Sequence, residues 1–259
     1  MVRELRARED AACVAMYLTS EDVRALQAAG CASAPVLLDA DAWLELPDGG
    51  WEGWLASLPS KRRREIRREA RQFGDAGYTV RHLPLADCHE RLGGLAAATM
   101  AKYGASATAE DWLRLLRMHV DGMGAAAQVS LCLRGGDPLG FCLYYVWGDT
   151  LYLRWAGFDY ERLAGAAEYF NLAFYSHVAL AAEIGVCRIH AGVKAPAAKA
   201  LRGAELRPLW LVDLTEDSVL TRHREAVRAH NRTAYERLLA DPCTRAAVTA
   251  ADGWLEGCR

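Results

Sequence analysis

Residues 151–210 read LYLRWAGFDYERLAGAAEYFNLAFYSHVALAAEIGVCRIHAGVKAPAAKALRGAELRPLW. The apolar run Leu151 to Ala156 is too short for a helix and rich in residues that suit a pleated, half-buried surface, so it reads as a strand that Gly157 breaks. From Gly165 to Glu183 the apolar residues Phe170, Ala173, Phe174, Val178 and Ala181 recur at helical spacing, and Gly185 supplies the stop. A second strand, Val186 to Ala191, then lies beside the first, because strand, helix and strand close as a right-handed βαβ unit. A turn bearing Lys199 and Gly203 leads into a further strand that ends near Trp210.

Working outward, Ala126 to Leu133 and Leu139 to Trp147 flank Gly135-Gly136-Asp137-Pro138 and form a hairpin, and Gly148-Asp149 turns into the strand from Leu151. Tyr78 to Leu83 is a further strand. Ala86 to Tyr103 and Ala109 to Val120 read as two helices separated by the loop Gly104 to Thr108. Nearer the amino terminus, residues 3 to 18 read as a helix leading into a short strand. Thr19 to Asp22 start a helix that Gly30 ends, and Pro35 to Leu46 alternates as a strand. Trp51 to Ser57 is a short helix, with Ser60 a cap for the next. Asp217 to Leu239 is helical, with Arg222, Arg224, Arg228, Arg232 and Arg237 on a basic face, and the tail beyond Pro242 is weakly patterned. These elements predict an α/β (α+β) fold: a mixed, largely antiparallel twisted sheet flanked by helices, in a single catalytic domain over 35–240. Residues 1–34 form an amino-terminal extension and 241–259 a tail.

Lys61 to Arg71 holds seven basic residues and two glutamates, a local net charge of +5 in a chain whose total is −2. At helical spacing Arg64, Arg67, Arg68 and Arg71 share one side. Two readings stay open: a solvated surface helix, or a face that binds phosphate.

The 259 residues are 52% hydrophobic and 25% charged, ordinary for a globular protein with a sizeable core. No apolar run approaches the ~18 residues of a membrane span, and Met1 to Glu9 is too charged for a secretory signal, so a cytoplasmic location is expected. The eight cysteines are scattered without a Cys-x-x-Cys spacing, which predicts reduced packing residues and no metal site. No Gly-x-Ser-x-Gly elbow exists, and neither His177 nor His190 has an identifiable Ser or Cys partner in sequence, so nothing predicts a covalent nucleophile.

Arg162-Leu-Ala-Gly165-Ala-Ala167 matches an Arg/Gln-x-x-Gly-x-Gly/Ala pattern, whose backbone N–H groups at a helix start suit a pyrophosphate. Gln27-Ala-Ala-Gly30-Cys-Ala32 matches it as well. A helix start rich in Ala and Gly by composition is the plain alternative.

The segment resembles the core of the Gcn5-related N-acetyltransferase (GNAT) superfamily, and more narrowly its Fem-like, BioF2-like branch of peptidoglycan biosynthesis or recognition proteins. The shared features are Trp155 to Gly157, Phe174 with Tyr175, Gly192, the Lys-x-x-Arg-Gly of Lys199 to Gly203, Trp210, and the basic helix within Trp54 to Tyr78. The resemblance covers about residues 35 to 240. Where the group usually carries acidic residues this chain has Asn171 and His190. The resemblance implies an amide-forming N-acyltransferase that moves an aminoacyl group from aminoacyl-tRNA to the amine of a small molecule or peptide. It implies no tightly bound cofactor, no metal and no DNA. The alternative from the same fold uses acetyl- or acyl-coenzyme A and rests on the Arg162 loop. A third reading is a non-catalytic RNA-binding module. Candidate catalytic residues are Lys199, Tyr175, Asn171 and His190. Arg64, Arg67, Arg68, Arg162, Gly165, Lys194 and Arg202 are assigned to the donor or its phosphates, and Trp155, Asp159, Tyr160 and Glu168 to the acceptor pocket.

Overall fold

The computed structural model describes residues 13–250, 253 and 254. The chain begins with β1 (Val14–Leu18), α1 (Ser20–Ala28) and β2 (Val36–Glu45). There follow α2 (Gly50–Ser57), α3 (Ser60–Asp75), β3 (Tyr78–Pro84), α4 (Gly93–Lys102), α5 (Ala109–Met123), β4 (Gln128–Arg134), β5 (Asp137–Trp147) and β6 (Thr150–Phe158). A helical run comes next, made of α6 (Glu168–Phe170), a π-helical segment (Asn171–Tyr175) and α7 (Ser176–Ile184), and then β7 (Arg188–Gly192). Last are α8 (Pro196–Ala200), β8 (Glu205–Asp213), α9 (Val219–Arg222), α10 (Arg224–Ala240) and α11 (Pro242–Ala250). Contacts divide the chain into two compact units, residues 44–192 and residues 1–43 with 193–259. The mixed α/β architecture with mostly antiparallel strands agrees with the sequence.

In the 44–192 unit the strands lie in the order β7-β6-β5-β4-β3, antiparallel except for the β6–β7 pair. Gly135 and Gly136 have φ of 61° and 89°, the paired positive values that a tight two-residue hairpin turn requires. Helix α5 starts with a reciprocal cap between Thr108 and Asp111 and turns Trp112 and Leu116 inward. Those side chains meet Leu92, Leu95, Phe141 and Leu143 in one apolar cluster, each fully buried residue contributing about 1.5–3 kcal/mol. Gly157 lets α4 cross β6 this closely: a Cβ there would stand 2.8 Å from the Ala96 amide nitrogen.

Two local expectations in this unit change. The helix predicted from Ala86 begins only at Gly93, after the 3₁₀ turns Leu85–Asp87 and His89–Arg91, because the Gly93-Gly94 pair is poor helix interior but a good place for α4 to approach the Ala109 carbonyl. Ser60 is the first helical residue rather than a cap, with Pro59 ahead of it and no side chain capping α3.

In the other unit the order is β1-β8-β2, all antiparallel. The segment expected as an extension is thus built into a sheet through β1, and α1 opens with the Thr19–Asp22 capping box. Asn231 of α10 accepts from the Leu37 amide at 2.8 Å and donates to the Pro35 carbonyl at 2.9 Å, fastening that helix beside β2. The helix expected over Asp217 to Leu239 is interrupted at His223. The tail is also more ordered than its pattern suggested: α11 packs on β8 and α10, and Trp254 is buried with its ring 4.9 Å from Tyr235. The seven described cysteines are free thiols, with Cys187 exposed; Cys258 and residues 3–12 of the first expected helix lie outside the described residues. Among the described residues no helix is long and apolar enough to cross a membrane, and no group of three His, Cys, Asp or Glu side chains is placed to hold a metal.

Candidate active site

Strands β6 and β7 pair at only three positions, Thr150 with Arg188, Leu151 with Ile189 and Tyr152 with His190. Beyond that point β6 continues from Leu153 to Phe158 and β7 through Ala191 and Gly192, and the two part. The cause lies on the other side of β6. Leu143 faces Trp155 while Tyr144 faces Leu153, so Arg154 is the extra residue of a β-bulge, which bends β6 away. The result is a wedge between parallel strands, with His190 at its apex and its ring 5.6 Å from that of Tyr152.

The helical run after β6 carries the second feature. Asn171–Tyr175 is wound as a π-helix, a form that recurs at functional sites. Both of its polar members reach Glu69 of α3. The Asn171 amide donates to the Ala167 carbonyl at 3.0 Å and to the Glu69 carbonyl at 3.3 Å, and the Tyr175 hydroxyl donates to the Glu69 carboxylate. Trp51 stands edge-on to the Tyr175 ring at 5.7 Å, and Trp54 lies 6.0 Å from it. Glu69, Trp51 and Trp54 are absent from the sequence-based candidates. A signal for Glu69 existed: Ile66, Glu69 and Phe73 fall at helical spacing, and Ile66 and Phe73 are the buried residues of α3.

The outer face of α3 exposes Arg64, Arg67, Arg68 and Arg71 as the spacing predicted. Their charges are not equivalent. Arg67 pairs with Glu52 at 2.6 Å, Arg62 pairs with Glu65, and Arg63 donates to the Leu58 carbonyl at 2.7 Å. Among the described residues Lys61, Arg64, Arg68 and Arg71 make no ion pair, and Lys61, Arg64, Glu65 and Arg68 line an open hollow. Arg67 is thus the weakest of the phosphate candidates on α3.

In the Arg162 loop, Arg162 is exposed and bound to Asp137 at 2.7 Å, while Gly165 and Ala167 adopt left-handed φ of 73° and 56°. The Ala164 N–H does not point at an empty site. It donates to the Glu168 carboxylate at 2.8 Å and to the Tyr78 oxygen at 3.0 Å. Burial raises the Tyr78 pKa and the Glu168 charge raises it further, against the pull of the Ala164 amide and Arg134. Glu168, expected in the acceptor pocket, is only 4% exposed, and its carboxylate accepts from the Ala164 N–H of its own loop.

In the other unit Lys199 and Arg202 are 2% and 3% exposed, on and just after α8, where Pro196 occupies the first turn. Neither is a solvated cation of a surface turn. The Arg202 guanidinium donates to the Ala198 carbonyl at 3.0 Å. Lys194 differs, being 91% exposed with its ammonium 3.9 Å from the Asp39 carboxylate.

With this geometry in place, comparison with known proteins gives a consistent answer. The family model for FemAB-like proteins of peptidoglycan biosynthesis or recognition matches residues 2–242. The chain belongs to the FemAB-like family. Among curated proteins none matches the sequence. Solved structures similar to this FemAB-like chain include FemX, with 12% identity and a TM-score of 0.61 over 86% of this chain and 77% of that one. L-PGS from Bacillus licheniformis is similar at 12% identity and a TM-score of 0.59, over 84% and 72%. The C-terminal domain of a protein described as a lysylphosphatidylglycerol synthetase from Agrobacterium fabrum is similar at 13% and 0.60, over 87% and 75%. At these identities the likeness is one of fold.

Two further expectations for the FemAB-like chain are revised. Trp155 pairs in register with Leu143, whose side chain joins the cluster under α5, whereas Tyr144 turns to the opposite face and meets His177. Trp155 therefore packs edge-on to Trp112 and His119, away from Tyr175. Asp159 and Tyr160 follow it beyond the end of β6, Tyr160 with the Lys102 ammonium 3.8 Å from its ring centre. Trp155 is thus turned away from the π segment, whereas Tyr160 connects to Phe174 of that segment through Phe158 and Tyr169, with ring centres 5.9, 6.2 and 6.2 Å apart along the chain of contacts. The second revision concerns His177, whose Nε2 lies 2.7 Å from the Ser130 hydroxyl. Both residues are fully buried, and desolvation with the adjacent His82 charge drives the imidazole pKa down to about 3. This is a neutral packing pair without substrate access, not an activated nucleophile.

Proposed function

We propose that this FemAB-like protein is an amide-forming acyltransferase that moves an aminoacyl group from aminoacyl-tRNA onto the amine of a small molecule or peptide. The observation that carries this reading is the two-sidedness of α3. Its outer face offers Arg64, Arg68, Arg71 and Lys61 to a polyanion, and its inner face holds the Tyr175 hydroxyl through Glu69. Family membership supports the same class of donor, and the names of the similar solved structures, FemX and lysylphosphatidylglycerol synthetase, fit amide or ester formation of this kind.

In the proposed reaction the amine nitrogen attacks the ester carbonyl of the charged tRNA, the C–N bond forms, and the bond to the terminal ribose oxygen breaks. The attacking ammonium must first lose a proton. The hydroxyl of Tyr175 can relay it, because Glu69 accepts the phenolic hydrogen as Tyr175 accepts one from the amine. As a separate assignment in the other unit, Lys199 is the candidate cation for negative charge on the donor, oxyanion or phosphate. The rival donor, acyl-coenzyme A, would need the loop whose amide already binds Glu168.

The test is direct. The protein is incubated with an amine pool and either tRNA charged with labelled amino acid or labelled acyl-coenzyme A. Amide from charged tRNA is the expected result; amide from acyl-coenzyme A alone overturns it, and tRNA binding without product favours an RNA-binding module.

A further inference from the structure

A buried carboxylate is costly unless charge or hydrogen-bond donors compensate it. Glu168 finds such a donor in the loop that immediately precedes it: Oε1 accepts from the Ala164 N–H at 2.8 Å, and that N–H also reaches the Tyr78 oxygen at 3.0 Å. Behind Tyr78 stands Arg134, its Nη1 3.3 Å from the hydroxyl. The left-handed Gly165 and Ala167 belong to the same loop. Mixed left- and right-handed residues turn backbone N–H groups inward and make concavities suited to an anion. Here the anion is supplied by the chain itself.

We propose that Glu168 sets the choice of donor: its carboxylate fills the anion position of the 162–167 loop and thereby excludes the diphosphate of a coenzyme A thioester. The protein is left to donors whose phosphates bind elsewhere. This deepens the aminoacyl-tRNA reading and rests on it. Two negative groups cannot share the Ala164 amide, and a diphosphate brought to the loop meets a fixed like charge. Gly165 offers no second barrier, since a side chain placed there would meet nothing within 4 Å.

Calorimetry with coenzyme A and, separately, inorganic pyrophosphate tests the proposal on the full chain, in wild type, Glu168→Gln and Glu168→Ser. The glutamine keeps an oxygen for the Ala164 N–H while removing the charge, and the serine also removes the bulk; circular dichroism checks that each variant is folded. The expected result is no saturable heat from wild type and an affinity for pyrophosphate at least about tenfold higher in the variants, with coenzyme A following. Wild type binding coenzyme A as tightly as the variants overturns the proposal, as do folded variants that bind neither ligand. The charged-tRNA assay fails independently: a wild type that makes no amide removes the donor reading and leaves the calorimetric result standing.

Discussion

The Tyr175 hydroxyl is hydrogen-bonded to the Glu69 carboxylate, joining a π-helical segment to the inner face of a basic helix 106 residues away in sequence. If this pair relays the amine proton, Tyr175→Phe and Glu69→Gln should each lower turnover by about 10²- to 10⁴-fold. The hydrogen bond itself contributes only about 0.5–1.5 kcal/mol to stability. Steady-state rates beside thermal melts of each variant check this; full activity in folded Tyr175→Phe would exclude the relay.

The unequal environments of the arginines on α3 predict unequal effects on RNA. Arg64→Ala, Arg68→Ala and Arg71→Ala should each shallow the log–log salt dependence of tRNA affinity by about 0.7 to 1 unit. Arg67→Ala should do less, because Glu52 already neutralises Arg67 at 2.6 Å. Filter binding of tRNA from low to moderate salt measures the slopes, and a triple variant with unchanged slope would leave α3 a solvated helix.

Lys199 is 2% exposed and so is not a solvated surface cation; whether it acts on the donor is read from its removal. Lys199→Ala is expected to reduce turnover by roughly 10²-fold or more, the scale of losing one charge-stabilising group at an oxyanion. Single-turnover kinetics with charged tRNA, compared with equilibrium tRNA binding, will show whether the loss lies in chemistry or in donor affinity. Unchanged turnover and binding would remove Lys199 from the site.

Acid sensitivity should trace to His177. Its folded pKa of about 3 lies below the ordinary value of 6.5, so the unfolded chain binds more protons between those limits. The contribution to stability is complete above pH 6.5 and is lost as pH falls toward 3, by up to about 1.4 kcal/mol per pH unit. Denaturant titrations at pH 7, 6, 5 and 4 should show a shallower decline in His177→Leu than in wild type. Parallel declines would assign the acid sensitivity elsewhere.

Much of this protein is local information. The alternation of β4 and β5, the Gly135-Gly136 turn, the capping pairs Thr19–Asp22 and Thr108–Asp111, and the outward Arg64 and Arg68 all follow from side-chain periods of 2 and 3.6 and from turn chemistry. Even the inward position of Glu69 was written in its spacing from Ile66 and Phe73. What the sequence could not decide depends on what packs against what. A π-helical turn has no periodic signature of its own, so the meeting of Asn171 and Tyr175 on Glu69 appears only once the helical run is laid on α3. The sequence motif at Arg162 is the same string whether its amides are free or taken, and only the fold brings Tyr78 and Glu168 to the Ala164 N–H. Likewise, β alternation put Trp155 on one face or the other of its sheet, but the bulge at Arg154 and the clustering of Leu143 under α5 decided which. By itself, then, the sequence determined the strands of the sheet, most of the helices, their order and the charged face of α3, because those depend on neighbours along the chain; the break at His223, the tail helix α11, the occupied loop, the Glu69–Tyr175 pair and the wedge between β6 and β7 were decided by tertiary structure, because each depends on groups brought together from distant segments.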